Sequence, residues 1–153
     1  MMRIVFAGLL LAASQVQAAP ASQPSLPPAL LLSVERDGEP LRQLPLCLAA
    51  DGSFHAARRQ DGAELDAQGR LQAPRGHAYP LVNLQLSWRD DAGAQRLDSQ
   101  LALEDGRQLL GGLQQLVYPY GKAPGVEPQR SSLTFYLERQ AACPPPGPDK
   151  AKE

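Results

Sequence analysis

The stretch Tyr79-Pro80-Leu81-Val82-Asn83-Leu84-Gln85-Leu86-Ser87-Trp88-Arg89 decides the fold class. Within it Val82, Leu84, Leu86 and Trp88 alternate with Asn83, Gln85, Ser87 and Arg89. A period of two is that of a β-strand with one buried and one wetted face, because successive side chains leave a pleated chain in opposite directions. The apolar set holds the single tryptophan of the chain, whose large apolar area suits the centre of a core. This segment therefore reads as the central strand of an all-β domain. No residue on its polar face is a nucleophile paired with a base.

Toward the C-terminus, Asp90-Asp91-Ala92-Gly93 marks a turn, and Leu97, Leu101 and Leu103 lead to a second turn at Asp105-Gly106. Gln108 to Tyr118 is apolar but interrupted by Gly111-Gly112, which fits a strand with a bulge or a short helical turn, the strand being the preferred reading. Ser132 to Glu138 alternates Leu133, Phe135 and Leu137 against Thr134, Tyr136 and Glu138, a closing strand. Toward the N-terminus, Leu30, Leu32 and Val34 alternate up to Asp37-Gly38, a dipeptide suited to a tight hairpin turn. Leu44, Leu46 and Leu48 follow, with Pro45 placing that strand at a sheet edge because proline lacks a ladder donor. Ser53 to Arg58 is expected to pair back across Asp51-Gly52 as a hairpin. From Gln60 to Gly76 the alternation weakens, and loops with one short strand are expected.

These segments predict a small antiparallel β-sandwich of about 7–8 strands over residues 29–143. A faint internal echo relates Leu32-Ser33-Val34-Glu35-Arg36-Asp37 to Leu86-Ser87-Trp88-Arg89-Asp90-Asp91. Two such hairpins can pack as the halves of a sandwich.

The first residues describe a destination. Arg3, the apolar run Ile4 to Ala13, and Val16-Gln17-Ala18 have the layout of a secretory signal peptide over residues 1–18, cut after Ala18. The apolar run is shorter than the roughly 20 residues that cross a bilayer, so no membrane insertion is expected after cleavage. Residues 19–28 read as a flexible lead-in and residues 144–153, rich in proline and charge, as a disordered tail. Arginine outnumbers lysine and the only isoleucine is Ile4, a bias of high-GC bacterial genomes, so a periplasmic or secreted bacterial protein of Gram-negative type is expected. Cys47 and Cys143 are the only cysteines and neither lies in a Cys-x-x-Cys motif, so in an oxidising compartment they are expected to form a disulfide.

Charge excludes some partners. A formal net charge of -1 provides no broad basic field for nucleic acid. His55 and His77, the only histidines, have no second ligand at a metal-type spacing, and Asp61, Glu64 and Asp66 lack the dense order of a calcium loop, reading instead as a solvated acidic loop. Neither a metal nor another cofactor is expected. No Gly-x-Ser-x-Gly or Ser-x-x-Lys motif occurs, no catalytic residue can be named, and an enzyme is not expected.

One segment has the composition of a recognition surface. Tyr118, Tyr120 and Lys122 are set among Pro119, Gly121, Pro124, Gly125 and Pro128, a proline-stiffened loop from Val117 to Gln129. Tyrosine on a stiff loop brings contact area at little entropic cost. Arg58 and Arg59, with Arg75 near Tyr79, form a second candidate patch for an acidic partner. The expectation is a non-enzymatic module that binds another protein, of the inhibitor or immunity type; the alternative is an accessory subunit of an envelope secretion or pilus-type assembly that works through an exposed strand edge.

Overall fold

The computed structural model describes residues 26–145; the segment expected to be a signal peptide and most of the expected tail lie outside them. Eight strands follow one another: β1 (Ala29–Arg36), β2 (Glu39–Cys47), β3 (Ser53–Gln60), β4 (Ala63–Gln72), β5 (Leu81–Asp90), β6 (Gly93–Ala102), β7 (Gln108–Val117) and β8 (Gln129–Gln140). They form two antiparallel four-stranded sheets, ordered β2-β1-β8-β7 and β3-β4-β5-β6. The stretch around Trp88 is β5, an inner strand of the second sheet.

Inward-facing residues of both sheets fill one apolar interior. Leu30, Leu32, Leu46, Phe135 and Leu137 of the first sheet and Leu65, Leu71, Leu84, Leu86 and Trp88 of the second are almost fully buried. At roughly 25 cal/mol per Å² of apolar surface removed from water, this interior is the main source of stability. Two hairpins are closed by two-residue turns, Asp37-Gly38 and Asp61-Gly62, whose four residues all have positive φ (52°, 85°, 51° and 74°). Turns of that kind match the right-handed twist of their strands, and aspartate and glycine tolerate the conformation best.

The structure corrects three expectations. Residues 60–76 are not loops around one short strand: β4 is a ten-residue inner strand. Its inward positions include Ala63, Ala67 and Gly69, too small to register as an apolar face. Gly69 is required by close packing, since a Cβ there would lie 2.1 Å from the Asn83 carbonyl oxygen and 2.8 Å from Phe54 Cζ. Glu64 and Asp66 accordingly stand on a strand and not in an acidic loop. Third, β2 and β3 are not a hydrogen-bonded hairpin. The chain changes sheets at Asp51-Gly52, where the Gly52 carbonyl accepts from Leu71 N–H of β4 (2.8 Å), and β3 pairs with β4.

Every strand except at two seams is bonded to its neighbours in sequence, and β8 returns to pair with β1. At the seams, β2 beside β3 and β6 beside β7, side chains replace the backbone ladder. Arg58 of β3 donates to the Gln43 carbonyl (3.1 Å), and Arg42 of β2 donates to the carbonyls of Gln60 (2.7 Å) and Ala63 (3.2 Å). At the other seam Gln95 donates to the Gln114 carbonyl (3.1 Å) and Ser99 to the Leu110 carbonyl (3.2 Å). The bulge in β7 falls at Leu109–Gly111, where Leu97 of β6 packs on Gly111.

The turns that close each odd strand onto the next even one gather at one end of the sandwich. The chain enters and leaves at the other, where Leu26 of the lead-in packs against the core. There Cys47 and Cys143 form a disulfide with Cα atoms 5.4 Å apart, which fastens the exit of β8 to the end of β2 across Ala29 of β1. The bridge closes a loop of 96 residues in sequence separation, so its loss frees much denatured-state entropy. The double variant Cys47→Ser/Cys143→Ser is expected to remain folded but to lose about 2–4 kcal/mol in urea unfolding, and reductant should lower the stability of the unmodified protein to the same level.

Candidate functional site

The gathered turns carry most of the distinctive side-chain chemistry. Val117 ends β7 and the chain makes two successive β-turns before β8. In the first, Gly121 N–H donates to the Tyr118 carbonyl (3.1 Å) with Pro119 and Tyr120 at the corner; in the second, Val126 N–H donates to the Ala123 carbonyl (3.1 Å) with Pro124 and Gly125 there. Pro119 and Pro124 fix φ at the position each turn needs, and Gly125, at φ 87°, supplies the left-handed residue of a type II turn. The outcome is a loop held by its own backbone, with Tyr120 at the tip and 81% exposed. Tyr118 is also exposed, at 37%, and the Lys122 ammonium lies 5.4 Å from its ring centroid, a cation–π contact.

Behind the loop lies a cleft of ≈ 410 Å³, bounded by Tyr118, Lys122 and Leu116 on one side and by Asp61, Asp91 and Arg36 on the other. Leu116 is 49% exposed, large for an aliphatic side chain on a strand. Asp61 and Asp91 are exposed and make no direct ion pair among the described residues. The cleft thus offers an aromatic and aliphatic wall opposite two free carboxylates.

The base of the cleft is rigid because of Asp90. Its Oδ2 accepts from the Trp88 indole N–H (2.9 Å), the Gln115 amide (3.1 Å) and the Arg36 guanidinium (3.1 Å), while Oδ1 accepts from Ala92 N–H (2.9 Å). Three strands from two sheets, β1, β5 and β7, meet on one carboxylate. Burial alone would push its pKa up, but the bonds from Trp88, Gln115 and Ala92 and the charge of Arg36 outweigh it and hold the carboxyl below its ordinary value. Arg42 completes the layer, its guanidinium 5.4 Å from the Trp88 ring centroid. Asp37 does similar work at the first turn: it accepts from Ser132 N–H (2.7 Å) and the Ser131 hydroxyl (2.9 Å), and those bonds lower its pKa.

The structure brings Tyr118, Tyr120 and Lys122 together, but Arg58 and Arg59 stand apart from them. Those two arginines lie on β3 at one seam, whereas the tyrosine loop hangs from β7 at the other. Arg58 is engaged with the β2 backbone, and Arg59 stands opposite Glu64. Arg75 and Tyr79 fall in the β4–β5 connection at the far end and do not join them. His55 is on β3, 3.0 Å from Asp66 and exposed; His77 is exposed in that same connection. Among the described residues no group of three His, Cys, Asp or Glu is arranged to hold a metal. Sequence reasoning missed Asp90 and Gln115 as the foundation of the site; the sequence echo that aligns Arg36 with Asp90 was the one available signal, and these two residues form the inter-sheet ion pair. Comparison with protein-family models, with curated proteins and with solved structures returns no match to this chain.

Removing the Asp90 carboxylate strands four donors. Asp90→Ala is expected to lose about 2–4 kcal/mol in chemical denaturation. The Asp37, Asp51 and Asp90 carboxyls are all held below their ordinary value when folded, so the unfolded chain binds protons first. Their contribution is complete above the unfolded carboxylate pKa of about 4 and is lost as pH falls through the folded values. Unfolding followed at a series of pH values should show this acid limb, shallower in Asp90→Asn.

Proposed function

We propose that this protein is an exported, non-enzymatic module that binds another protein through the tyrosine loop and the cleft beneath it, in the manner of an inhibitor or immunity protein that blocks a toxin or hydrolase. The observation that carries this reading is Tyr120, held at the corner of a double turn with most of its surface in solvent, where it contributes nothing to the core. A tyrosine fixed in place loses little entropy on binding, which is the property of interface anchors. Leu116 and Tyr118 extend the apolar contact, and Asp61 and Asp91 suit a partner that inserts a basic side chain on a projecting segment. The disulfide and the lack of any membrane-crossing helix among the described residues are compatible with a periplasmic or secreted setting.

The rival reading, an envelope assembly subunit working by strand addition, has less support. The edge strands lie against one another at the seams, where side chains already bond the carbonyls of Gln43, Leu110 and Gln114. An added strand would have to displace those bonds.

The test is capture of partners from an envelope and culture-supernatant extract of the source organism by the protein and by the Tyr118→Ala/Tyr120→Ala variant. The variant is expected to keep its melting temperature and to lose a single stoichiometric partner. Equal retention of several envelope components by both forms would favour the assembly subunit, and unfolding of the variant would place the two tyrosines in the core and overturn the proposal.

A further inference from the structure

The outer face of the second sheet carries a different surface, remote in chemistry from the tyrosine loop. A groove of ≈ 870 Å³ runs across β3, β4, β5 and β6, within the ~300–1,000 Å³ of small-ligand sites. Its walls are two outward-facing rows in register: Ser53, Arg70, Asn83 and Gln100 on one side, and His55, Gln68, Gln85 and Asp98 on the other. Between them the backbone of the inward-facing row Phe54, Gly69, Leu84 and Ser99 forms the floor.

The ionisable groups of the walls already have partners. Arg70 binds Asp51 (2.9 Å), Asp98 binds Arg96 (3.3 Å) and His55 binds Asp66 (3.0 Å). A charged ligand would have to break one of these pairs. The open hydrogen-bonding capacity belongs instead to four carboxamides, Gln68, Asn83, Gln85 and Gln100, in one contiguous block on three strands. Gln68 and Gln85 are aligned by a single amide–amide bond (3.1 Å). Each carboxamide both donates and accepts, which is also the property of a sugar hydroxyl. Adjacent strands are spaced by about 4.8 Å, comparable with the repeat of pyranose rings along an extended chain, so successive rings could meet successive strands.

We propose that this groove binds a neutral oligosaccharide chain laid across the strands, with the carboxamides of Gln68, Asn83, Gln85 and Gln100 as its hydrogen-bonding partners. Phosphate and uronate polymers do not fit, since among its lining cations Arg70 is committed to Asp51. Peptide backbone does not fit either, because the ladder groups of β4 and β5, the inner strands of the floor, are already used within the sheet.

The experiment is a titration of the 15N-labelled protein with cellohexaose, maltohexaose and chitohexaose, followed through side-chain carboxamide resonances, with hexagalacturonate and a polar, glutamine-rich peptide in parallel. The expected result is saturable movement of the Gln68, Asn83, Gln85 and Gln100 side-chain signals with at least one neutral hexasaccharide. The Asn83→Ala/Gln85→Ala variant should bind it roughly tenfold more weakly with an unchanged melting temperature, and Tyr118→Ala/Tyr120→Ala should bind it as the parent does. The proposal is overturned if no neutral hexasaccharide moves these signals at millimolar concentration, if hexagalacturonate or the peptide binds more tightly, or if the amide variant binds undiminished.

Discussion

One carboxylate joins the two layers. Apolar contacts between facing sheets are non-directional and allow the layers to slide or rotate at little cost. Asp90 removes that freedom at the turn end, because its bonds to Arg36, Trp88 and Gln115 are directional and come from both sheets. A half-satisfied version of such a network would be worse than an apolar plug. The carboxylate therefore has to be met on every side, and the geometry it imposes on β1, β5 and β7 is also the geometry of the cleft floor. Precision at the candidate site and registry between the sheets are one requirement.

The topology has a symmetry that the sequence only hints at. Each sheet is built of two hairpins, and exchanging β1–β4 with β5–β8 leaves the pattern of pairings and both seams unchanged. The echo between residues 32–37 and 86–91 relates strands that are equivalent under this exchange, in opposite sheets. The sequences of the two halves differ most where each has a task. One half bears the tight Asp61-Gly62 turn, and the other bears the long tyrosine loop in the corresponding place. The seams follow from the same arrangement: eight strands in two flat layers leave two open junctions, and polar side chains on neighbouring carbonyls blunt them as templates for aggregation.

Much of this was legible from local pattern, and the failures have physical causes. Strands β1, β5 and β8 declare themselves because Leu, Val, Phe and Trp fill their inward positions. Pro45 placed β2 at an edge, where it is. Strand β4 hid because alanine and glycine occupy three of its inward positions, opposite Phe54 and Leu86 and one register step from Trp88. The Asp51-Gly52 pair looked like a hairpin turn because the dipeptide encodes local backbone angles, while the choice of partner strand is made by the whole core. The tyrosine loop could be found by composition, its turn chemistry being local. The network under it could not, since Arg36 and Gln115 reach Asp90 from 54 and 25 residues away.

The disulfide also determines where mechanical load would travel. Tension applied to the two ends of the chain enters at Ala29, runs through β1 and β2 to Cys47, and leaves through Cys143. Strands β3 to β8 lie inside the closed loop and carry none of it. Among the described strands, β1 and β2 are the ones outside the loop that tension can extend. Their extension would draw Arg36 away from Asp90, so that a pull on the tail would slacken the cleft.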